Sequence, residues 1–598
     1  MRSFIKTMVF GVAAFAASAL VPSVASACGG FFCNQAQPVN QAAEGIIFAD
    51  NGDGTVTAVI QIQYQGPSKS FSWLLPISSV PKKDSDIGVA SNLAFQRLQA
   101  ATNPNYTLNT KVEGTCRQDQ FNGGGPASTP SAAGGASSLD LGGKGVTVEA
   151  SGVVGAFEWK VISLDKSTVD PADAAVTWLE ANGYDVPRSA PKLLSPYLKE
   201  GLYLLALKLT KGADAGSIRP IVLTYAGTQP SIPIKLTAVA ANDDMGVLTW
   251  VLGKSRSVPK NYLSLELNEA RINWFNANSN YNSVVTDAAN DAGGQGFVTE
   301  FADATSTLDG TVWSTFDAQN WTQFKGSLYQ SFSQFFQNAY NQYGAWDGFW
   351  DATRAAVTLP EGLKFEDFKL CPSCYADKIT FMPSAYIAEL EKTVIEPVKS
   401  VQTLIDAHPE ITRMYSTLSA DEMTLDPLFT FNADLPAVSN QHTADRIIEC
   451  NPKVSTFEAP WRIELPQGGV IRGIGSNVGA WPAEFDTLPP NRLIVRTSES
   501  GSGKVIEDNS AAIGKKLATY NASVPKTVVP GAATGTGTAG GGSVNNGNGN
   551  GGDGAASAVP STSVSGGGCN VAPSGSPLAA FVAAAALAGV ALRRRRRS

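Results

Sequence analysis

The chain has 598 residues, of which 43% are hydrophobic and only 16% charged, with 45 Lys and Arg against 52 Asp and Glu. That length leaves room for more than one compact unit, because single cores stop growing near about 250 to 300 residues. So few charges exclude a charge-driven disordered chain, a net charge of −7 excludes the basic signature of a nucleic-acid binder, and 2 His leave little material for histidine chemistry.

Residues 1–27 read as an export signal. Arg2 and Lys6 form the basic start, Met8 to Leu20 is a short apolar run, and Ala25-Ser26-Ala27 is a small-x-small cleavage site, so signal peptidase is an expected partner, cutting after Ala27. An apolar run of about 13 residues is too short to cross a hydrocarbon core of about 30 Å. The mature chain then begins at Cys28. Lipid attachment to that cysteine is the alternative, although Ala25 stands where a lipobox has Leu.

Residues 28–525 form the body, β-rich over 28–255, helical over 256–425, and strand or loop over 426–525. Gly45 to Ala49 and Val56 to Tyr64 predict a β-hairpin, with Asn51-Gly52-Asp53-Gly54 supplying positive φ at the turn. A calcium loop there would need its first ligand at Ala49, so a plain turn is expected. Phe71, Trp73 and Leu75 continue the period-two pattern. A helix follows from about Ile87 to Ala100, then an irregular excursion over Gly123 to Ser138 and strand over Val146 to Ser163. Asp170 and Pro171 open a short helix that Asn182-Gly183 closes. Leu202 to Leu209, Pro220 to Tyr225, Ile232 to Val239 and Val247 to Leu252 read as strands. No regular alternation with long helices appears among them, so the class is α+β: mainly antiparallel β sheets with a helical middle section, a disordered linker and a short C-terminal hydrophobic helix.

Within the helical section, Trp321, Phe324, Phe332, Phe335, Phe336, Tyr340, Tyr343, Trp346 and Trp350 recur at spacings of three and four, with Leu328 filling the gap, on one face of a helix bent at Gly344. Aromatic side chains dominate cores, so the plain reading is a packed stripe. The sharper reading is an exposed aromatic binding face, Trp321, Phe332, Tyr340, Tyr343, Trp346 and Trp350, that stacks sugars or docks a partner between Gln and Asn flanks.

No catalytic, cofactor-binding or metal-binding residue is expected, and no cofactor. Asp421, Glu422 and Asp426 lie close together, but Ser419 and Glu422 have capping-box spacing. Gly473, Gly475 and Gly479 lack the spacing and βαβ context of a dinucleotide loop. There is no G-x-S-x-G, and His408 and His442 read as surface residues.

Six cysteines of the body, Cys28, Cys33, Cys116, Cys371, Cys374 and Cys450, suit disulfides in an oxidising compartment. Fifteen connectivities are open to six cysteines. The economical set pairs Cys28 with Cys33, Cys371 with Cys374, and Cys116 with Cys450. A redox role for Cys371-Pro372-Ser373-Cys374 is the alternative, and it would need a helix starting at the first cysteine. Zinc is disfavoured because neither histidine lies at ligand spacing from a cysteine pair.

Residues 526–568 form a Gly/Ser/Thr/Asn-rich linker with too few apolar side chains to order itself. Residues 569–598 begin at Cys569 and carry an apolar segment over 578–592 and five arginines over 593–597. This order of Cys, apolar helix and Arg cluster resembles the MYXO-CTERM sorting signal. The resemblance implies transient anchoring in the inner membrane through the apolar segment, then a cut at Cys569 by a sorting protease that leaves the protein on the cell surface. A simple tail anchor is the alternative. Removing Arg2, Lys6 and the five tail arginines leaves 38 basic and 52 acidic groups, a net of −14 for the body, which disfavours nucleic acid as a partner.

Several stretches resemble the bacterial domain of unknown function 2330 over about residues 27–430: Ala27-Cys28-Gly29-Gly30-Phe31-Phe32-Cys33, the Gln41 to Tyr64 hairpin, Phe71 to Pro76, Trp178 to Tyr184, Gly294 to Phe301 and Thr412 to Pro427. That resemblance implies an exported protein and no known reaction. The sequence therefore reads as an exported, surface-attached envelope protein of a Gram-negative bacterium, located at the outer membrane or cell surface. Its expected role is binding or structural, with an envelope glycan or surface protein as partner. The alternatives are a hydrolase of envelope polymers working through carboxylates or serine, and a thiol-disulfide protein at Cys371/Cys374.

Overall fold

The computed structural model describes residues 40–65, 72–82, 86–117, 146–165, 170–184, 186, 189–210, 218–227, 229–238, 241–475 and 481–524. The expected export signal, Cys28, Cys33, the Gly123 to Ser138 excursion, the linker and the tail with Cys569 lie outside these residues.

The hairpin forms as the turn chemistry predicts. Asn40–Asp50 pairs antiparallel with Thr55–Gln65, Gly52 and Gly54 take φ of +73° and +85°, and the Asp50 and Asp53 carboxylates accept from the backbone N–H groups of Gly52 and Thr55. It belongs to a ten-stranded sheet in the order Lys504–Asp508, Asn491–Arg496, Leu263–Leu267, Gly296–Ala304, Glu410–Leu418, Ala241–Gly253, Asn40–Asp50, Thr55–Gln65, Ile221–Ala226, Ile87–Val89. Most pairs are antiparallel; Asn40–Asp50 runs parallel to Ala241–Gly253, and Leu263–Leu267 to Gly296–Ala304. Three of these strands come from the stretch read as helical.

Alternation along each strand sends side chains to two different cores. On one face of the central sheet, Ile46, Phe48, Ala58 and Ile60 pack against Trp73, Leu75, Phe157, Val161, Leu205 and Leu207 of a four-stranded outer sheet, Ser72–Ile77, Tyr203–Leu209, Phe157–Leu164 and Val146–Val154. The outer sheet's other face, Leu74, Ile162, Leu204 and Ala206, is covered by the helices Pro171–Ala181 and Ala190–Lys199. On the central sheet's opposite face, Ile47, Val59, Trp250 and Leu252 meet the helices Asn92–Thr102 and Glu396–Asp406. The result is four layers, helix, sheet, sheet and helix. At the far end, Leu265, Leu267 and Val298 join a second four-stranded sheet, Val470–Ile474, Pro460–Glu464, Gln441–Glu449 and Asn105–Glu113.

Three local expectations change. The helix expected from about Ile87 begins at Asn92, capped by Ser91, and Ile87–Val89 is instead an edge strand of the central sheet. Of the expected strand Ile232 to Val239, the described residues 232–238 hold the short helix Ile234–Thr237 instead, because Pro230 and Pro233 remove the N–H groups a ladder needs. The aromatic run is three helices, Thr315–Gly326, Phe332–Tyr343 and Phe349–Ala356, with Ser314 and Ser331 each capping a fresh start. Leu328 falls in the break between the first two and is 93% exposed, so it fills no stripe.

Candidate functional site

Between the central and outer sheets lies a cleft of about 480 Å³. Its walls are Ile46, Phe48, Ala58 and Ile60 from the hairpin, with Leu75 and Ile77 opposite. Strand alternation places Glu44 on the same face as Ile46 and Phe48, so a carboxyl group stands where the pattern calls for an apolar side chain. Glu44 is 7% exposed, its Oε2 has no hydrogen-bond partner, and burial pushes its pKa up to about 7. Nothing offsets that burial. A charge without a counter-ion in a low-dielectric site takes up a proton instead.

The other end of the cleft is fully satisfied. Asp426 accepts from the Tyr197 hydroxyl at 2.8 Å and from the Lys235 backbone N–H at 3.1 Å, with Lys235 Nζ at 3.4 Å. Burial, then the Asp426 charge, raises the Tyr197 phenol well above its ordinary value. The strap 425–428 that carries Asp426 is pinned by Asn261, which donates to the Asp426 carbonyl at 2.7 Å and accepts from the Leu428 N–H at 2.8 Å, and by Tyr262, which donates to the Leu425 carbonyl. The cleft therefore pairs a hydrogen-bonded Asp426 at one end with a buried, unsatisfied Glu44 set in an apolar wall.

The residues singled out from sequence go elsewhere. Trp321, Phe332 and Tyr343 are buried in a separate aromatic core with Phe324, Phe335, Phe368 and Tyr386, Trp346 and Trp350 are half-buried, and of the six only Tyr340 is exposed, at 49%. An open stacking face is thus corrected to a core: edge-on contacts such as Phe324 with Phe335 at 5.4 Å consume the ring faces a sugar would need. Cys116 and Cys450 are bridged, as are Cys371 and Cys374. Cys371 follows the helix Phe365–Leu370 and opens only a four-residue 3-10 turn, not the helix that a redox motif requires.

Asp421, Glu422 and Asp426 do not converge. Glu422 turns back to accept from the Ser419 N–H at 2.7 Å, but a turn follows rather than a helix, and the Ser419 hydroxyl accepts from the Asp244 N–H. Gly473 serves packing, since a Cβ there would lie 2.1 Å from the Trp461 indole. Neither histidine is a free surface group. His408 is 8% exposed, with its ring nitrogens 2.8 Å and 3.1 Å from the Leu404 and Asp50 carbonyls. His442 lies in the strand Gln441–Glu449, stacks on Tyr106 at 4.4 Å and holds Glu269 through Nδ1 at 2.7 Å. Among the described residues no group of three or more His, Cys, Asp or Glu side chains is placed to hold a metal ion.

Residues 22–311 match the model of a family described as an uncharacterized protein conserved in bacteria (DUF2330). This supports the family read from the sequence, over a shorter span. Glu44, Tyr197, Lys235 and Asn261 fall inside the match, and Asp426 and the Thr412 to Pro427 stretch fall beyond it. No curated protein and no solved structure matches the chain. Sequence reasoning began the first strand at Gly45 and so passed over Glu44. The available signal was the i, i+2, i+4 set Glu44, Ile46 and Phe48, an acid in register with core residues.

Proposed function

We propose that the body is a binding module whose cleft takes an apolar small molecule and sets that molecule's one polar group on Glu44. The observation that carries this reading is the unpartnered Glu44 carboxyl in a wall of Ile46, Phe48, Ile60 and Leu75. Ligand sites of this kind are mostly apolar, with a few polar groups fixing orientation. The export signal, linker and sorting tail read from the sequence favour presentation of the module at the cell surface, after transient anchoring in the inner membrane.

Titration with the apolar fluorophore N-phenylnaphthylamine tests the cleft. Saturable enhancement is expected, and Gly227→Trp should abolish it by placing an indole at the lip, where a new Cβ meets only the Tyr225 ring at 3.8 Å. Enhancement that never saturates, or that survives Gly227→Trp in a folded protein, defeats the reading. Cell fractionation and N-terminal sequencing test the address separately: a mature start at Cys28, and loss of surface display on Cys569→Ala, are expected.

A second reading has one observation in its favour. Glu44, with its raised pKa, and the paired Asp426 share one cleft, and a carboxylate hydrolase needs two acids in unlike environments. Release of sugars from envelope glycan, lost in Glu44→Gln, would carry that reading instead.

A further inference from the structure

A second cavity, of about 360 Å³, opens where the central sheet meets the far four-stranded sheet. Three carboxylates line it, and each has a side-chain partner, although the Glu269 Oε2 is buried without a hydrogen bond. Glu266 pairs with Arg492 at 2.5 Å, and Glu269 holds His442 at 2.7 Å. Glu300 pairs with Arg413 at 2.5 Å while accepting from the Tyr281 hydroxyl. The remaining charged group on the wall is Arg256, in the turn between Ala241–Gly253 and Ser257–Pro259. It has no carboxylate partner among the described residues.

The way Arg256 is held shows which edge of it is free. Nη1 donates to the Pro436 carbonyl at 2.9 Å. Nε is buried and makes no hydrogen bond, and Nη2 has no partner among the described residues. Nε and Nη2 together form the edge of a guanidinium that grips a carboxylate with two parallel N–H···O bonds. Burial pushes the Arg256 pKa below its ordinary value, and no neighbouring acid acts against that shift. A planar donor fork, tied down at Nη1 and with a buried Nε and an open Nη2 on its other edge, is arranged for an anion that arrives from outside the chain.

We propose that this cavity is a binding site for a small organic carboxylate, anchored on the Nε/Nη2 edge of Arg256 with its apolar body against Leu265, Val298, Leu435 and Val438. A monoanion fits better than a phosphate dianion. Arg256 is the arginine on the wall without a carboxylate partner, and the carboxylates of Glu266, Glu269 and Glu300 around it would repel a second negative charge. This site is separate from the Glu44 cleft and does not rest on it.

Calorimetric titration of the purified chain with hexanoate, hexanamide and hexylamine tests the proposal. Hexanoate is expected to saturate one site, and the neutral amide and the amine are expected to bind at least about tenfold more weakly, since a charge-assisted pair is roughly twice as strong as a neutral one. Arg256→Met should lower hexanoate affinity by about tenfold or more, and Arg256→Lys, which keeps the charge but loses the fork, should fall between. The thermal midpoint of each variant is measured alongside. If the variants fail to fold, the comparison of hexanoate with hexanamide on the unaltered chain still decides. No hexanoate binding at roughly 10 mM, equal binding of the amide, or full affinity in folded Arg256→Met each overturns the proposal.

Discussion

At the scale of single residues, Glu44 and Arg256 carry the same kind of information: an ionisable group with a buried polar atom that its neighbours leave without a partner. For Glu44 this has a consequence for stability. Its folded pKa of about 7 lies above the ordinary 4.5, so between those values the folded chain keeps a proton that the unfolded chain has released. Stability contributed by the neutral carboxyl is present below about pH 4.5 and is lost as pH rises through 7. The full penalty is about 3 kcal/mol. Glu44→Gln is therefore expected to raise the thermal midpoint at about pH 8 and leave it nearly unchanged at about pH 5. A variant with the same pH dependence as the parent would contradict this. The position of Glu44 on the apolar face was legible from alternation alone. That it has no partner was not, because that depends on Leu75 and Ile77 from the outer sheet closing over it. Arg256 was less legible still: its isolation depends on Glu300, Glu269 and Glu266 being taken by Arg413, His442 and Arg492.

At the scale of elements, the aromatic segment shows how a correct period can mislead about exposure. Spacing of three and four described each helix well. The breaks at 327–331 and 344–348 fold the three pieces onto one another, so most of the stripe faces its own continuation. Phe335 is fully buried, and Phe335→Ala is expected to cost about 3–5 kcal/mol in denaturant unfolding. The two bridges should also differ. Cys374 is exposed, whereas Cys116 and Cys450 pack half-buried beside the far core, so mild dithiol followed by alkylation should label the Cys371/Cys374 pair first. Labelling of Cys116 and Cys450 first would contradict the burial. The long bridge ties Asn105–Glu113 to Gln441–Glu449 across 334 residues, a register that spacing alone left as one connectivity among fifteen.

At the scale of the molecule, the α+β class and the mainly antiparallel sheets followed from turn residues and alternation. The strand order did not, because pairing between distant strands leaves no mark in local periodicity. The family match ends at residue 311, yet the central sheet goes on beyond it. Glu410–Leu418 lies between Ala241–Gly253 and Gly296–Ala304, and Asn491–Arg496 pairs with Leu263–Leu267. A fragment of residues 28–311 is therefore expected to show no cooperative unfolding and rapid proteolysis, while 28–524 melts as a unit. Cooperative melting of the shorter fragment would mean that the matched stretch is a self-sufficient domain.

The place of Glu410–Leu418 also sets a clock. Residues 241–304 leave the ribosome more than a hundred residues before the strand that joins them, so two edges with unpaired backbone groups wait until it arrives. For that interval the growing chain has a gap in the middle of its largest sheet. Long-range pairing of this kind is slow to form, and the unfinished edges are where a chaperone would be needed and where aggregation would begin.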